Sequence, residues 1–150
     1  MKIDHATLDD LSGLCDLLSI LFSQEAEFQP DRALQEAGLR QIIEAPELGR
    51  ILALRDGTSI VGMVNLLFTV STALGGKVCI LEDMVVHPEH RGKGAGSKLL
   101  EAAIEFSKAA GCLRITLLTD RTNESAQRFY RRHGFTPSAM LPMRLGLDAS

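Results

Sequence analysis

An apolar segment, Met84–Val86, leads through a short turn into basic, glycine-rich residues that precede a helical pattern. These residues read Arg91-Gly92-Lys93-Gly94-Ala95-Gly96, and their glycines lack the Cβ atoms that would hold an anion away from the backbone. The first turn of a helix leaves backbone N–H groups without intrahelical partners, and the peptide dipoles add partial positive charge there. A strand, a basic glycine turn and a helix in this order therefore predict a pyrophosphate-binding site.

Two better-known phosphate loops do not fit these residues. A Walker loop needs glycine five residues before its Gly-Lys pair and Ser or Thr after it, where this chain has His87 and Gly94. The glycines also read G-x-G-x-G, whereas the dinucleotide fingerprint is G-x-G-x-x-G. The pattern that remains, Arg91-x-x-Gly94-x-Gly96 after Val86-His87-Pro88, resembles the coenzyme A pyrophosphate loop of the GNAT family of N-acetyltransferases.

A second block of residues supports the same resemblance. Asn123-Glu124-Ser125-Ala126 begins a predicted helix that carries Tyr130 and stops at Gly134-Phe135. In the family such a segment supplies an asparagine near coenzyme A and a tyrosine near the thioester sulfur, and Asn123 and Tyr130 match those positions. The resemblance implies acetyl-CoA as the acyl donor, bound by Met84, Val85, Val86, Arg91, Gly92, Lys93, Gly94, Ala95, Gly96, Asn123 and Tyr130.

The resemblance also implies the geometry of the strand before the loop. This strand is expected to diverge from its neighbour and to turn the backbone groups of Met84–Val86 toward the pantetheine arm of the cofactor. One N–H group, at Val85 or its neighbour, is expected to donate a hydrogen bond to the thioester oxygen, where negative charge develops during the reaction.

Glu82 is the expected catalytic base. It lies two residues before Met84, so strand alternation places both side chains on one face. In several family members a glutamate near this place accepts the ammonium proton of the substrate, directly or through water, and partial burial would raise its pKa toward a useful value. Asp83 points the other way unless a β-bulge intervenes, and bulges are expected in this strand. Asp83 is therefore the alternative base, and a salt bridge or substrate binding remains open for either carboxylate.

Tyr130 is the expected general acid. It is the only tyrosine and falls seven residues after Asn123, on nearly the same side of the predicted helix. A phenol is acidic enough to protonate a departing thiolate in a dry site. The alternative is a core aromatic residue beside Phe129 with its hydroxyl at the surface.

Composition limits the remaining function classes. A chain of 150 residues with 45% hydrophobic and 23% charged residues fits one domain over residues 1–150. No apolar run is long enough to cross a bilayer and no signal-peptide pattern is visible, so we expect a cytoplasmic protein without a membrane partner. The net charge of −3 argues against a nucleic-acid partner.

The cysteines and histidines do not form a recognisable site. Cys15, Cys79 and Cys112 form no C-x-x-C pair and are expected to be buried free thiols. His87-Pro88-Glu89-His90 lacks a third ligand, so no metal is expected.

Hydrophobic periodicity and turn residues predict the elements. Thr7 and Asp10 form a capping box before an amphipathic helix, a second helix follows Pro30, a third follows the glycine turn to about Ala110, and a fourth covers Asn123–His133. Strands are predicted over Ile3–Ala6, Arg50–Arg55, Ser59–Val70, Lys77–Val86, Leu113–Leu118 and, closing the sheet, Phe135 with Met140–Leu147. The fold class is α/β (α+β), with a mixed, mostly antiparallel sheet of about six to seven strands flanked by about four helices, as the GNAT fold requires.

These features predict an N-acetyltransferase that moves an acetyl group from acetyl-CoA to a primary amine by direct attack in a ternary complex. The alternative is a noncatalytic acyl-CoA-binding sensor or regulatory module, which the presence of Glu82, Asn123 and Tyr130 disfavours. Amino sugars, polyamines, amino acids, antibiotics and protein N-termini all remain open as acceptors, because no motif is visible between Leu11 and Glu47. Analogy with the family suggests a homodimer.

Overall fold

The computed structural model describes residues 1–25 and 27–147. The described residues form two compact units, one within residues 1–120 and the other within residues 121–147. One domain over residues 1–150 therefore stays a prediction. The first unit holds five strands: β1 Lys2–His5, β2 Gly49–Asp56, β3 Ser59–Ser71, β4 Gly76–Val86 and β5 Ile115–Leu117. Its helices are α1 Leu11–Gln24, α2 Arg32–Ile43 and α3 Ala95–Ala109, and the second unit contains α4 Glu124–Arg132. No helix in the described parts combines the length and the apolar composition needed to cross a membrane.

The sheet of the first unit follows the order β1-β2-β3-β4-β5. Three neighbouring pairs are antiparallel and β4 pairs with β5 in parallel, so the predicted mixed, mostly antiparallel sheet is confirmed. Gly57 makes the β2–β3 turn with φ +62° and Gly75 makes the next with φ +75°, conformations that favour glycine.

The predicted number of strands, six to seven, is too high. The described residues form five, and the closing strands expected at Phe135 and Met140–Leu147 are wrong because residues 135–147 contain no strand. Pro137 and Pro142 lack the N–H donor that a strand ladder needs, which counters the apolar pattern of this segment.

Helices cover both faces of the sheet. On one face α1 and α2 enclose a core cluster made of Leu14, Cys15, Leu17, Leu18, Leu39, Ile51, Met63 and Val85. On the other face α3 approaches closely at Gly62, where an added Cβ would lie 3.3 Å from Leu54 and 3.4 Å from Leu99. Each fully buried Leu stabilises the fold by about 1.5–3 kcal/mol. All three cysteines are free thiols; Cys15 and Cys79 are buried and Cys112 is half-buried.

Polar contacts fix the start of α1 and join α1 to α2. The backbone N–H of Thr7 donates to Asp10 Oδ2 at 2.7 Å. The predicted capping box is therefore present, but it caps the 3-10 turn Leu8–Asp10 that leads into α1 and not α1 itself. Arg55 donates from Nε to Asp4 Oδ1 at 2.7 Å and from Nη2 to Asp10 Oδ2 at 2.9 Å, tying β2 to β1 and to the turn before α1. The buried amide of Gln35 on α2 donates to the Cys15 carbonyl at 3.1 Å. The two helices that cover this face are therefore held at a defined separation.

Candidate active site

A short 3-10 turn, Pro88–His90, connects β4 to the glycine-rich residues, and it is fixed to the β2–β3 hairpin. The backbone N–H of His87 donates to the Val61 carbonyl at 2.7 Å, and His90 Nε2 lies 3.2 Å from Asp56 Oδ2. These contacts give both histidines a structural role. Within residues 1–25 and 27–147 no group of three or more His, Cys, Asp or Glu is arranged to hold a metal ion.

Two glycines of the turn have a left-handed backbone conformation. Gly92 and Gly94 have φ of +78° and +77°, which other residues adopt only with strain. A Cβ at either position would meet no protein atom within 4 Å, so conformation, and not crowding by the chain, explains these glycines. Gly94 precedes the first turn of α3, and no side chain caps that turn. Main-chain donors at the start of α3 therefore adjoin an exposed turn, as an anion site requires.

Arg91 and Lys93 add positive charge beside these donors, and both side chains are exposed. Arg91 Nε donates to the Val86 carbonyl at 3.0 Å, which holds the base of the guanidinium at the end of β4. The arginine thus links the end of the strand to the turn where a pyrophosphate is expected.

The pairing of β4 with β5 ends before β4 reaches the glycine turn. The parallel pairing covers Cys79 to Leu81 on β4, and β5 itself ends at Leu117. From Glu82 to Val86 the described residues supply no β5 partner, whereas the opposite edge of β4 stays paired with β3 through Val86. One edge of Met84–Val86 is therefore without a strand partner, and the divergence that the resemblance implies stays a prediction.

A β-bulge in β4 decides which carboxylate faces α1 and α2. Asn65 pairs with Asp83 and Leu66 pairs with Leu81, so Glu82 is one extra residue on β4. Without it, Leu81 and Asp83 would share a face. With it, Asp83 joins Asn65 on the face covered by α1 and α2, and Glu82 is exposed.

Asp83 is half-buried and contacts a buried amide. Asn65 Nδ2 donates to Asp83 Oδ2 at 3.0 Å. Burial raises the pKa of Asp83 to about 6; the hydrogen bond from Asn65 opposes this rise and the negative charge of Glu82 adds to it. The sequence led us to expect a raised pKa at Glu82, but the bulge gives the required burial to the next residue.

A cavity of about 290 Å³ lies between the sheet and α1 and α2. Asn65 and Asp83 are the lining residues that the sheet supplies. The others come from α1, α2 and the segment between them: Leu18, Phe22, Phe28, Gln29, Asp31, Leu34, Gln35, Gly38, Leu39 and Ile42. A carboxylate with raised pKa in an apolar cavity is an arrangement typical of functional sites.

Further carboxylates gather near the end of α1. Burial raises the pKa of Glu25, and the negative charges of Asp83, Asp120, Glu27 and Glu82 raise it further. The surroundings of the Asp83 carboxylate are therefore negatively charged, which favours the approach of a cation.

Asn123 and Tyr130 lie in the second unit. Asn123 Oδ1 accepts a hydrogen bond from the Ala126 backbone N–H at 3.0 Å, so it caps α4. The ring of Tyr130 is half-buried, with ring centroids 5.3 Å from Phe129 and 5.7 Å from Phe135. Their roles toward coenzyme A and the leaving thiolate stay predictions.

Asn65 is the residue that sequence reasoning missed. It is 3% exposed, and its Oδ1 has no hydrogen-bond partner among the residues described. The available signal was a single amide within the apolar run Val61–Leu67, since a polar residue buried in a strand needs a partner.

Comparisons with known proteins agree with this architecture. A profile of the Acetyltransferase (GNAT) family matches residues 12–135. The aminoalkylphosphonate N-acetyltransferase of Salmonella typhimurium is 30% identical over 137 residues, which cover 91% of this chain and 86% of that protein. The N-acetyltransferase YhfO of Bacillus subtilis is 31% identical over 138 residues, 90% of this chain and 89% of that protein. An integron cassette protein from the Cole Harbour Salt Marsh metagenome has a crystal structure that aligns with a TM-score of 0.84 at 26% identity, covering 99% of this chain and 91% of that one.

Proposed function

The chain belongs to the Acetyltransferase (GNAT) family, and from this premise we propose that it transfers the acetyl group of acetyl-CoA to a primary amine. The observation that carries the proposal is the bulge at Glu82, which puts the Asp83 carboxylate into a cavity beside the segment where β4 leaves β5. An acceptor in the cavity and an acyl donor along the free edge of β4 would meet at this strand.

The residues of the first unit fit acetyl-CoA. The positive φ angles of Gly92 and Gly94 and the uncapped start of α3 suit a pyrophosphate, with Arg91 and Lys93 supplying positive charge. The free edge of Met84–Val86 suits the amides of a pantetheine arm. When bound, acetyl-CoA supplies an activated thioester carbonyl.

In the proposed reaction Asp83 accepts the proton of the bound ammonium group. With a pKa of about 6 it is ionised at neutral pH and is a stronger base than an ordinary aspartate. The neutral amine nitrogen then forms the bond to the acetyl carbon, the carbon–sulfur bond breaks, and the nitrogen releases its second proton to solvent, without a covalent enzyme intermediate. An N–H at Val85 or its neighbour stabilises the developing oxyanion by about 3 kcal/mol. Tyr130 is proposed, from the family resemblance, to protonate the leaving thiolate.

We propose Asp83 in preference to Glu82 because a general base must be near its substrate and partly removed from water. Glu82 is exposed, and its role as base stays a prediction that a separate variant can test. A homodimer and a cytoplasmic location also stay predictions.

Two measurements test the function. Calorimetry with acetyl-CoA should show saturable binding, and a thiol reagent should detect coenzyme A release that depends on an added amine. Saturable binding without release across a broad amine panel would favour the acyl-CoA sensor. No binding at millimolar acetyl-CoA would overturn the proposal.

A further inference from the structure

The cavity next to Asp83 contains one unsatisfied hydrogen-bond acceptor. Asn65 lines the cavity and is only 3% exposed. Its Nδ2 donates a hydrogen bond to Asp83, whereas its Oδ1 accepts none from the described residues. A buried carbonyl oxygen is almost always hydrogen-bonded in native proteins. Oδ1 itself has less than 1 Å² of accessible surface, so the donor that we expect from a molecule in the cavity must displace the side chains that now cover this oxygen.

A second amide in the lining, that of Gln35, is hydrogen-bonded at both ends, unlike that of Asn65. Gln35 Oε1 accepts from the Asp31 backbone N–H at 2.8 Å, and Gln35 Nε2 donates to the Cys15 carbonyl and to Ser19 Oγ, each at 3.1 Å. Gln35 thus uses both ends of its amide within the protein. The amide oxygen of Asn65, in contrast, accepts no hydrogen bond from the described residues.

The charge around Asn65 selects the kind of donor. Asp83 lies beside it, and the neighbouring carboxylates that raise the pKa of Glu25 make the region negative. An ammonium group has three N–H donors, no acceptor and a positive charge, so it satisfies Asn65 Oδ1 and Asp83 together. A neutral hydroxyl or amide donor would satisfy the oxygen and leave the charge unmatched.

The lining has no cationic side chain to pair with an anion. Among the described residues around the cavity there is no Lys, Arg or His. Arg32, at the start of α2, is not in the lining; it donates to Asp16 Oδ1 at 2.8 Å and to Ser12 Oγ at 3.1 Å. A carboxylate or phosphonate on the acceptor would enter without a cationic partner, which is costly in a largely apolar site.

Half of the residues that line the cavity have large apolar side chains: Leu18, Phe22, Phe28, Leu34, Leu39 and Ile42. The cavity volume of about 290 Å³ lies at the lower end of the range of ligand pockets, about 300–1,000 Å³. A small ligand body with an apolar surface therefore suits this cavity.

We propose that the acceptor is a small apolar primary amine without an anionic group, whose ammonium binds Asn65 Oδ1 and the Asp83 carboxylate while its body fills the cavity between α1, α2 and the sheet. This inference rests on the proposed function and names the substrate class of the same site. It separates this chain from the relative whose name specifies an aminoalkylphosphonate.

The test compares acceptors that differ in one charged group. After acetyl-CoA binding has been measured by calorimetry, kcat/KM is determined for 2-phenylethylamine, phenylalanine, phenylalaninol and 2-aminoethylphosphonate. 2-Phenylethylamine should exceed phenylalanine and 2-aminoethylphosphonate by about tenfold or more, the effect of about 1.4 kcal/mol. Phenylalaninol carries a neutral hydroxymethyl group where phenylalanine carries its carboxylate, and its kcat/KM should be closer to that of 2-phenylethylamine.

The outcomes separate the two proposals. Equal or reversed preferences, or no turnover of 2-phenylethylamine by protein that binds acetyl-CoA, would overturn the substrate class and leave the acetyl-CoA proposal standing. Failure to bind acetyl-CoA would instead remove the proposed function.

Variants of the lining provide a second test. Asn65→Leu should raise the KM for 2-phenylethylamine about tenfold with an unchanged Kd for acetyl-CoA, whereas Gln41→Leu, on the exposed side of α2, should change neither. Phe22→Lys adds a cation to the lining and should lower the ratio of 2-phenylethylamine to phenylalanine activity about tenfold. An unchanged ratio in a folded Phe22→Lys protein would refute the charge argument even where Asn65→Leu fails to fold.

Discussion

Replacing Asp83 by asparagine should stabilise the protein and inactivate it. Burial moves the pKa of Asp83 from 3.8 to about 6, so between these values the folded state binds more protons than the unfolded state. The free energy of unfolding therefore falls as pH rises from about 4 to about 6 and stays at the lower level above that range. Two pKa units correspond to about 3 kcal/mol, which is an upper limit for a half-buried carboxylate.

Asp83→Asn removes this cost because asparagine has no charge and can still accept the hydrogen bond from Asn65. We expect the variant to be about 1–3 kcal/mol more stable than the parent at pH 8 and equally stable near pH 4. Urea denaturation at both pH values measures the difference. Equal stability of the two proteins at pH 8 would refute the reasoning from burial.

The catalytic effect has the opposite sign. Loss of a general base should lower kcat/KM by about 10²–10⁴-fold. In the parent, kcat/KM should fall below about pH 6 as Asp83 becomes protonated, and this limb should vanish in the variant. Glu82→Gln is the matched control, since it changes the adjacent carboxylate in the same way and should keep the limb. Normal activity in Asp83→Asn together with loss in Glu82→Gln would assign the base to Glu82.

Three further changes test other parts of the structure. Gly94→Ala, at φ +77°, should cost about 1–2 kcal/mol in strain and weaken acetyl-CoA binding about tenfold by calorimetry, while Gly75→Ala, at φ +75°, should carry similar strain with an unchanged Kd. Tyr130→Phe should lower kcat about tenfold or more at constant acetyl-CoA affinity; unchanged kcat would leave Tyr130 a packing residue. Arg55→Met should cost about 1–3 kcal/mol at pH 7 in urea denaturation. That deficit should shrink as pH falls below the ordinary range of Asp10, whose pKa the hydrogen bond from Arg55 lowers, and a deficit that stays constant in acid would contradict this.

Main-chain features of the site were predictable from sequence. The sequence placed a basic glycine turn between β4 and α3, and Gly92 and Gly94 of that turn have positive φ. The β4 residues before the turn have no β5 partner, as a strand that leaves its neighbour would require. The Asp56-Gly57 dipeptide likewise predicted the tight β2–β3 turn, in which Gly57 has positive φ. These features depend on local backbone requirements, which single residues reveal.

Side-chain placement was less predictable because it depends on register. One extra residue at Glu82 moved the buried carboxylate to Asp83, and nothing in the local sequence fixes where a strand takes up a bulge. The place of Asn65 in the candidate site depends on its cross-strand pairing with Asp83. This contact joins residues far apart in the sequence, so the residues near Asn65 do not predict it. The prediction for the segment 135–147 failed for another reason, since Pro137 and Pro142 interrupt its apolar pattern and cannot donate to a strand ladder.

The glycine turn and the free edge of β4 present mainly peptide groups, whereas the cavity is walled by side chains from α1, α2 and the segment that joins them. In the proposed reaction, donor binding and acceptor choice therefore depend on separate sets of positions. A library randomised at Phe22, Leu34 and Ile42 is expected to yield enzymes with new amine preferences that keep the parental affinity for the acyl donor. Because the two sets of positions are separate, substitutions in the cavity could change the substrate of such a fold without changing how it binds its cofactor.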